Sequence, residues 1–477
     1  MSAQQGSISD HNDPNASLPN GAEKQNISGI HEATATHTGR NQLTFFSVTM
    51  IVVSLVIGMG IFGTPANVAA SSGSVSIFFA AWLTGGVVAL CGALTYAEIG
   101  VRLPVMGAYY KVFSICYHPV VGFTVNALIL ISNAASLGIV ALIGADYVSD
   151  LLFGQPSGPL FNIMISTVAV IIFYIINMLG LHTSSIAQNI LTLIKIALIL
   201  LLIASILKGV VVEPHGYIEG ATLYQFKDNH WLTLFLASMI PVSFSYGGYQ
   251  QTINFGSEIK NTPLLPRAIV VGIGTVIMLY LALNLAYTQV IGFEKMKNAS
   301  AIGALLCEAW FGAVGAKIFD VFMFLSVLAY VNIVLMSNPR VMYAMSSDGV
   351  FPGVFLRKHA QTGALVPALT VFSIATIVIT FFGKSVDSIL GFTMFLDSIG
   401  MSTSAAALFF LKRKQPQNTV NAGWTKATPF LATIFVCAYL GIAIAVINHK
   451  PQAAVTGISL LLFLAILYYI FYYRKKK

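Results

Sequence analysis

The chain has 477 residues, of which 56% are hydrophobic and only 9% charged, with a mean hydropathy of +0.80. Soluble domains carry about 25% charged residues, so the composition excludes an ordinary water-soluble globule and describes a polytopic membrane protein. The net charge of +8 is then no sign of nucleic-acid binding, because Lys and Arg beside membrane spans set orientation instead.

Residues 1–42 are polar and rich in Ser, Asn, Gly, Thr and His. That composition predicts a disordered tail and shows no signal peptide. His11, His31 and His37 have no ligand spacing, so neither a metal nor a cofactor is expected. Beyond the tail, hydropathy predicts an all-α membrane protein with twelve spans. They lie near residues 43–70, 75–100, 118–147, 160–180, 184–208, 231–257, 267–292, 316–345, 365–383, 386–411, 428–447 and 454–473. With the N-terminus placed in the cytoplasm, seventeen of the 25 Lys and Arg residues fall inside and seven outside, and Lys195 lies within the fifth span. The asymmetry predicts that both termini are cytoplasmic.

The first span is interrupted. It carries Gly58, Gly60 and Gly63 within six positions and then Pro65, which weakens the helix at mid-depth. An unwound segment in hydrocarbon leaves amides and carbonyls unpaired, so it persists only inside protein or beside a polar cavity. Glycines there let a ligand approach the backbone, and the amides of a half-helix N-terminus favour a carboxylate. A glycine packing face against a neighbouring helix is the plainer reading of this stretch alone. The sixth span tips the balance, because it carries Pro241 and the Gly247-Gly248 pair at its centre. Spans one and six each open a set of five, 43–208 and 231–411, and an odd set makes the second enter from the opposite side. Two interrupted helices at matching places in inverted halves point to a transporter site between them. Residues 412–477 add two further spans and a basic end.

Two ionisable residues sit deep. Lys195 is more than two turns from either end of its span, too far to reach an interface. A charge at that depth costs roughly 3 kcal/mol or more, so it is expected to face the interior with a partner. Asp397 in the tenth span meets the same argument and is expected at a water-filled cavity or among hydrogen-bonding groups, shaping an outer vestibule, relaying protons, or standing as a neutral hydrogen-bonded acid. Glu98, near the end of the second span, is expected at an inner gate. Asn126 in the third span either reaches the pocket or makes a helix contact. Cys91, Cys116, Cys307 and Cys437 lack metal or redox spacing, and those in or beside spans are expected as inert buried thiols.

Four motifs resemble the amino acid–polyamine–organocation (APC) transporter family over roughly residues 43–412. They are Gly58-Met59-Gly60-Ile61-Phe62 with Pro65; Tyr96-Ala97-Glu98-Ile99-Gly100 with Pro104, Gly107 and Tyr109; Glu258-Ile259-Lys260-Asn261-Thr262-Pro263 with Pro266-Arg267-Ala268; and Asn338-Pro339-Arg340-Val341-Met342-Tyr343-Ala344-Met345 with Asp348-Gly349 and Pro352. The resemblance implies the 5+5 inverted-repeat leucine-transporter fold with broken helices 1 and 6, and amino acid uptake or exchange by alternating access. It implies that amides around Ile57, Gly58, Met59, Gly60 and Ile61 hold the substrate carboxylate. Carbonyls near Phe244, Ser245, Tyr246 and Gly247 would hold its ammonium, with Phe244 as an aromatic cover.

Met59 replaces the family's usual serine, and Gln250 stands near a place where some exchangers of cationic substrates carry glutamate. Both departures favour neutral amino acids. The resemblance also places Lys195 beside the first break, where sodium-driven relatives bind a cation. Carbonyls near Gly58 and the hydroxyls of Ser326 or Ser337 are its expected neighbours. A resident sodium is then unexpected, which leaves sodium-independent exchange, proton coupling as the alternative, and a polyamine or cationic amino-acid antiporter as the next.

No His-x-x-x-His, Gly-x-Ser-x-Gly or paired-carboxylate set occurs within the spans, so no enzyme chemistry is expected. No Walker motif occurs either. Some APC members bind a glycoprotein through a cysteine after span three, but residues 147–160 contain none. No disulfide-linked heavy subunit is therefore expected. The partners foreseen are an amino acid and the lipid bilayer, with a monomer or homodimer in a bacterial inner membrane.

Overall fold

In the computed structural model the described residues are 42–155, 157–208, 231–260, 263–299, 302–382, 386–414, 423–449 and 451–470. The expected N-terminal tail, through residue 41, and the basic end from residue 471 lie outside them. Apart from two isolated bridges, Leu43 with Ile259 and Met106 with Phe255, the described residues are helices and their connections.

The first expected span is two helices, α1 (Phe45–Val56) and α2 (Gly60–Ser72), bent by 42° across Ile57, Gly58 and Met59. Thr44 caps α1 by accepting a hydrogen bond from the Ser47 amide at 3.3 Å, as a helix start requires. There follow α3 (Val75–Arg102), the short α4 (Ala108–Cys116), α5 (Pro119–Phe153), α6 (Pro159–Met178) and α7 (Leu181–Ala204). Next comes α8 (Trp231–Tyr246), which stops at Gly247-Gly248 and continues as tight 3₁₀ turns over Tyr249–Asn254 and Gly256–Glu258. After it come α9 (Leu264–Val290), α10 (Ile302–Phe311), α11 (Gly315–Ser347), α12 (Val366–Phe382), α13 (Val386–Lys414), α14 (Thr428–His449) and α15 (Pro451–Tyr468).

Eight of these helices are long and apolar enough to cross a membrane, and the bent α1–α2 pair makes nine. The expectation of twelve also counted α12, α13 and α15. All three are helical. However, α12 and α15 have 17 and 18 residues, and α13 carries Asp387, Asp397 and a basic end, Lys412-Arg413-Lys414.

Buried polar side chains replace water as partners between the helices. Gln188 of α7 donates to Ser54 of α1 at 2.5 Å, Asn332 of α11 donates to Gln188 at 2.8 Å, and Asn177 of α6 donates to Asn332 at 2.9 Å. Without these partners each amide would face apolar surroundings at a cost of 1–3 kcal/mol or so.

Three of the four cysteines are buried, but Cys437 is exposed on α14. The expectation of a buried thiol fails there because its side of α14 is turned away from the other helices.

Candidate functional site

The two interruptions adjoin. A Cβ built on Gly248 would lie 2.3 Å from the carbonyl oxygen of Leu55, and Gly248 has φ +107°. Both facts admit glycine and no larger residue. On the other side, a Cβ on Gly60 would lie 3.3 Å from Ser245 Oγ. The backbones of the broken elements therefore meet with glycine on each face of the contact.

Five groups close the exposed backbone. The α1 helix ends with orphan carbonyls and the negative end of its dipole. Lys195 of α7, fully buried, donates from Nζ to the Ile57 carbonyl at 2.5 Å. Tyr280 of α9 donates toward two carbonyls, Val56 at 3.1 Å and Ser245 at 3.2 Å, and so bridges both breaks with one hydroxyl. The Gly58 amide bonds the Val56 carbonyl at 2.7 Å, and the Gly247 amide bonds that of Phe244 at 3.3 Å. Gln250 accepts from the Gly248 amide through Oε1 at 2.9 Å.

The positive end of α2 is different. Gly60 and Ile61 open that helix, so their amides have no carbonyl one turn back to bond. A Cβ on Gly58 would meet nothing within 4 Å. The gap thus presents free amides beside open space, which is the chemistry that receives a carboxylate.

The structure thus brings Ile57, Gly58, Met59, Gly60 and Ile61 together with Ser245, Gly247 and Gln250. Phe244 is 42% exposed, with no aromatic partner among the described residues. Tyr246 is buried against Trp82 and Tyr280, at ring separations of 5.8 and 5.2 Å, and contributes packing beside the gap.

Other expected residues are hydrogen-bonded elsewhere. Asn126 is buried and gives its amide to the Gly122 carbonyl one turn back, at 2.9 Å. Ser326 donates to the Phe322 carbonyl at 2.9 Å, and Ser337 accepts from Asn254 at 3.1 Å. Neither serine meets Lys195, whose hydrogen bond goes to the α1 backbone instead. Of the two kinds of neighbour expected, the hydrogen bond goes to the backbone carbonyl. In an unwound turn the main chain already offers a free acceptor.

Away from the gap, one end of the bundle is tied by ions. Glu98 accepts from Arg102 at 2.6 Å, lies 3.2 Å from Lys412, and also accepts from Thr428, so it joins α3, α13 and α14. Glu258 pairs with Arg340 at 2.5 and 2.9 Å, and its carbonyl accepts from the Leu43 amide at 2.7 Å. Asn254 takes the Gly107 and Tyr109 amides at 2.9 and 3.1 Å. Gly107 has φ +66°, and a Cβ there would sit 2.4 Å from the Arg340 carbonyl. On the other side of the break, Phe62 of α2 packs edge-on against Phe319 of α11, which packs against Tyr147 of α5, both at 6.2 Å.

Sequence reasoning did not find Tyr280, Gln188, Asn332 or Asn254. Amides inside apolar runs are a usable signal, and three of the four carry it. Tyr280 carries none, being one of 19 tyrosines.

A sequence description of the family "Amino acid permease" matches residues 43–472. The chain belongs to the amino acid permease family. Among its relatives are the serine/threonine exchanger SteT of Bacillus subtilis (strain 168), 28% identical over 77% of this chain and 82% of that protein, and the human cystine/glutamate transporter, 27% identical over 79% and 75%. The human large neutral amino acids transporter small subunit 2 is 25% identical over 79% and 71%. This permease is thus similar to amino acid transporters and exchangers, in agreement with the APC resemblance of its four motifs.

Proposed function

We propose that this permease exchanges neutral amino acids across the membrane by alternating access, without sodium. The observation that carries the reading is the asymmetry of the α1–α2 break. Its carbonyl side is closed by Lys195 and Tyr280, while Gly60 and Ile61 open α2 with no carbonyl one turn back for their amides, two and three residues after Gly58, where a Cβ would meet open space. A substrate carboxylate fits those amides, and its ammonium fits last-turn carbonyls of α8. The exposed Phe244 ring is free to cover the ligand.

Neutral side chains are favoured because the gap residues carry no carboxylate, and Gln250 is already bonded to Gly248. The serine/threonine and large neutral amino acid relatives agree with this, whereas the cystine/glutamate relative takes a charged partner. Sodium independence follows from Lys195, whose ammonium occupies the carbonyl that a metal cation would seek. The same reading includes twelve spans in a 5+5 inverted repeat, with residues 1–42 and 412–477 flanking or extending the core. It also takes both termini as cytoplasmic in a bacterial inner membrane. The missing cysteine in residues 147–160 argues that no disulfide-linked heavy subunit is needed, although one relative is named as a small subunit.

Counterflow in proteoliposomes tests this. Labelled serine, leucine, arginine and glutamate are offered outside against unlabelled amino acid inside, in sodium and in choline buffer. Saturable uptake of serine or leucine, equal in both buffers, is expected. A strict sodium requirement, or uptake confined to arginine, would overturn it. The Lys195→Met variant should reach the membrane yet exchange at least about tenfold more slowly, the equivalent of ~1.4 kcal/mol. Native exchange in that variant would remove Lys195 from the cycle.

A further inference from the structure

Asp397 stands about 16 Å from the nearer end of α13, eleven residues into a 29-residue helix at 1.5 Å per residue. Residues three, four and seven positions on, Gly400, Met401 and Ser404, share its face of the helix. That face meets protein. The Tyr96 hydroxyl of α3 donates to the Met401 carbonyl at 3.1 Å and lies 2.6 Å from Ser404 Oγ. The Tyr109 hydroxyl of α4 lies 3.2 Å from a Cβ built on Gly400. Tyr96, Tyr109, Tyr330 of α11 and Tyr439 of α14 are all within electrostatic reach of the carboxylate.

Asp397 nevertheless has no hydrogen-bond or ion-pair partner among the described residues, and it is half-buried rather than sealed, as is Tyr330. The carboxylate thus stands on a face that meets protein, far from both helix ends, without being fully buried. No Lys, Arg or His of α3, α4, α5, α11, α14 or α15 stands against it among the described residues. On its own helix Asp387 lies ten residues before it. Lys412, fifteen after, is paired with Glu98.

An ionised carboxylate so placed has no counter-charge, which is costly inside a membrane. A metal ion would need several oxygen ligands closing on it, and no His, Cys, Asp or Glu groups with Asp397 as a possible metal cluster among the described residues. A proton needs only the carboxylate. Phenols can then accept from the neutral acid or donate to the anion, so the ring tolerates both states.

We propose that Asp397 is a proton-binding site of the transport cycle, set on the face of α13 that meets α3 and α4. The coupling half of this proposal rests on the exchange reading above, whereas the binding half does not. Two measurements on the full chain separate them.

Infrared difference spectra between acid and neutral pH read the binding directly. The wild type should show a protonated-carboxyl band that Asp397→Asn lacks and Asp397→Glu shifts. Identical spectra for wild type and Asp397→Asn would overturn the proposal. Counterflow across the same pH range reads the coupling. Wild-type rates should change about threefold or more between the limbs of the titration, and those of Asp397→Asn less than about 1.5-fold. Asp397→Glu should restore the dependence.

A wild-type pH profile in Asp397→Asn would also overturn it. So would a sodium or potassium response at fixed pH that the Asn variant abolishes, because the ligand would then be a metal cation. If no amino acid shows counterflow, the exchange reading fails while the infrared band still decides Asp397.

Discussion

The two interrupted segments of this permease are built from similar residues and do different work. At the α8 break Gly248 is engaged at both its amide and its α-carbon. The Gly248 amide is held by Gln250, its α-carbon lies against the Leu55 carbonyl, and its φ of +107° suits glycine alone. At the α1–α2 break only the carbonyl side is engaged, by Lys195 and Tyr280, and the amide side is left beside empty space at Gly58. One interruption locks two elements together, and the other is the site proposed for the ligand. Glycine therefore marks a close approach at position 248 and an opening at position 58, a distinction that residue type alone does not carry.

Substitution can break this comparison at its strongest point first. Gly248→Ala forces a methyl against a main-chain oxygen and strains the backbone, which together should cost about 3 kcal/mol or more. Thermal unfolding in detergent, followed by loss of the monodisperse peak, should show a large drop. An unchanged midpoint would mean that the two breaks do not touch. A smaller effect is expected from Tyr280→Phe, which leaves the Val56 and Ser245 carbonyls without their shared donor at about 1–2 kcal/mol. Its midpoint should fall between those of Gly248→Ala and the wild type, and a fall as large as that of Gly248→Ala would show that the tyrosine, not the glycine contact, joins the breaks.

The smallest stability change belongs to Gly58→Ala. A methyl there meets nothing within 4 Å, so stability should stay within about 0.5 kcal/mol of wild type. Binding should behave otherwise, because the added methyl occupies the open space before the amides. Thermal stabilisation by serine or leucine should weaken in Gly58→Ala while the unliganded midpoint holds. Undiminished ligand stabilisation would move the carboxylate site elsewhere.

Much of this contrast was readable in the primary structure as location but not as role. The interruptions at Gly58–Gly60 and Gly247-Gly248 were foreseeable because unwound backbone inside a membrane needs glycine, proline and a sheltered place. Lys195 stood out for the same reason of cost. Its partner did not, since a lysine on α7 reaches the Ile57 carbonyl only once α1 has ended where it does. Gln250, placed near the second break by sequence, bonds the Gly248 amide two residues away, and Asn126, open by sequence to a pocket or a helix contact, gives its amide to the Gly122 carbonyl on its own helix. Short-range hydrogen bonds of this kind are available to any amide side chain, and pattern alone does not say which one forms.

Composition and hydropathic runs by themselves determined that this is a helical membrane protein, where its long helices lie, and which helix is interrupted by glycine. They could do so because hydrocarbon imposes the same demand on every residue of a span, namely that its backbone be paired and its side chains apolar. Only the tertiary structure decided which carbonyls are closed by Lys195 and Tyr280, that Glu98 ties α3 to α13 and α14, and that the Tyr96 hydroxyl lies against Ser404 on the face of α13 that carries Asp397. Those outcomes depend on which side of each helix meets a neighbour, and residues such as Glu98 and Thr428, far apart along the chain, meet only when the helices pack.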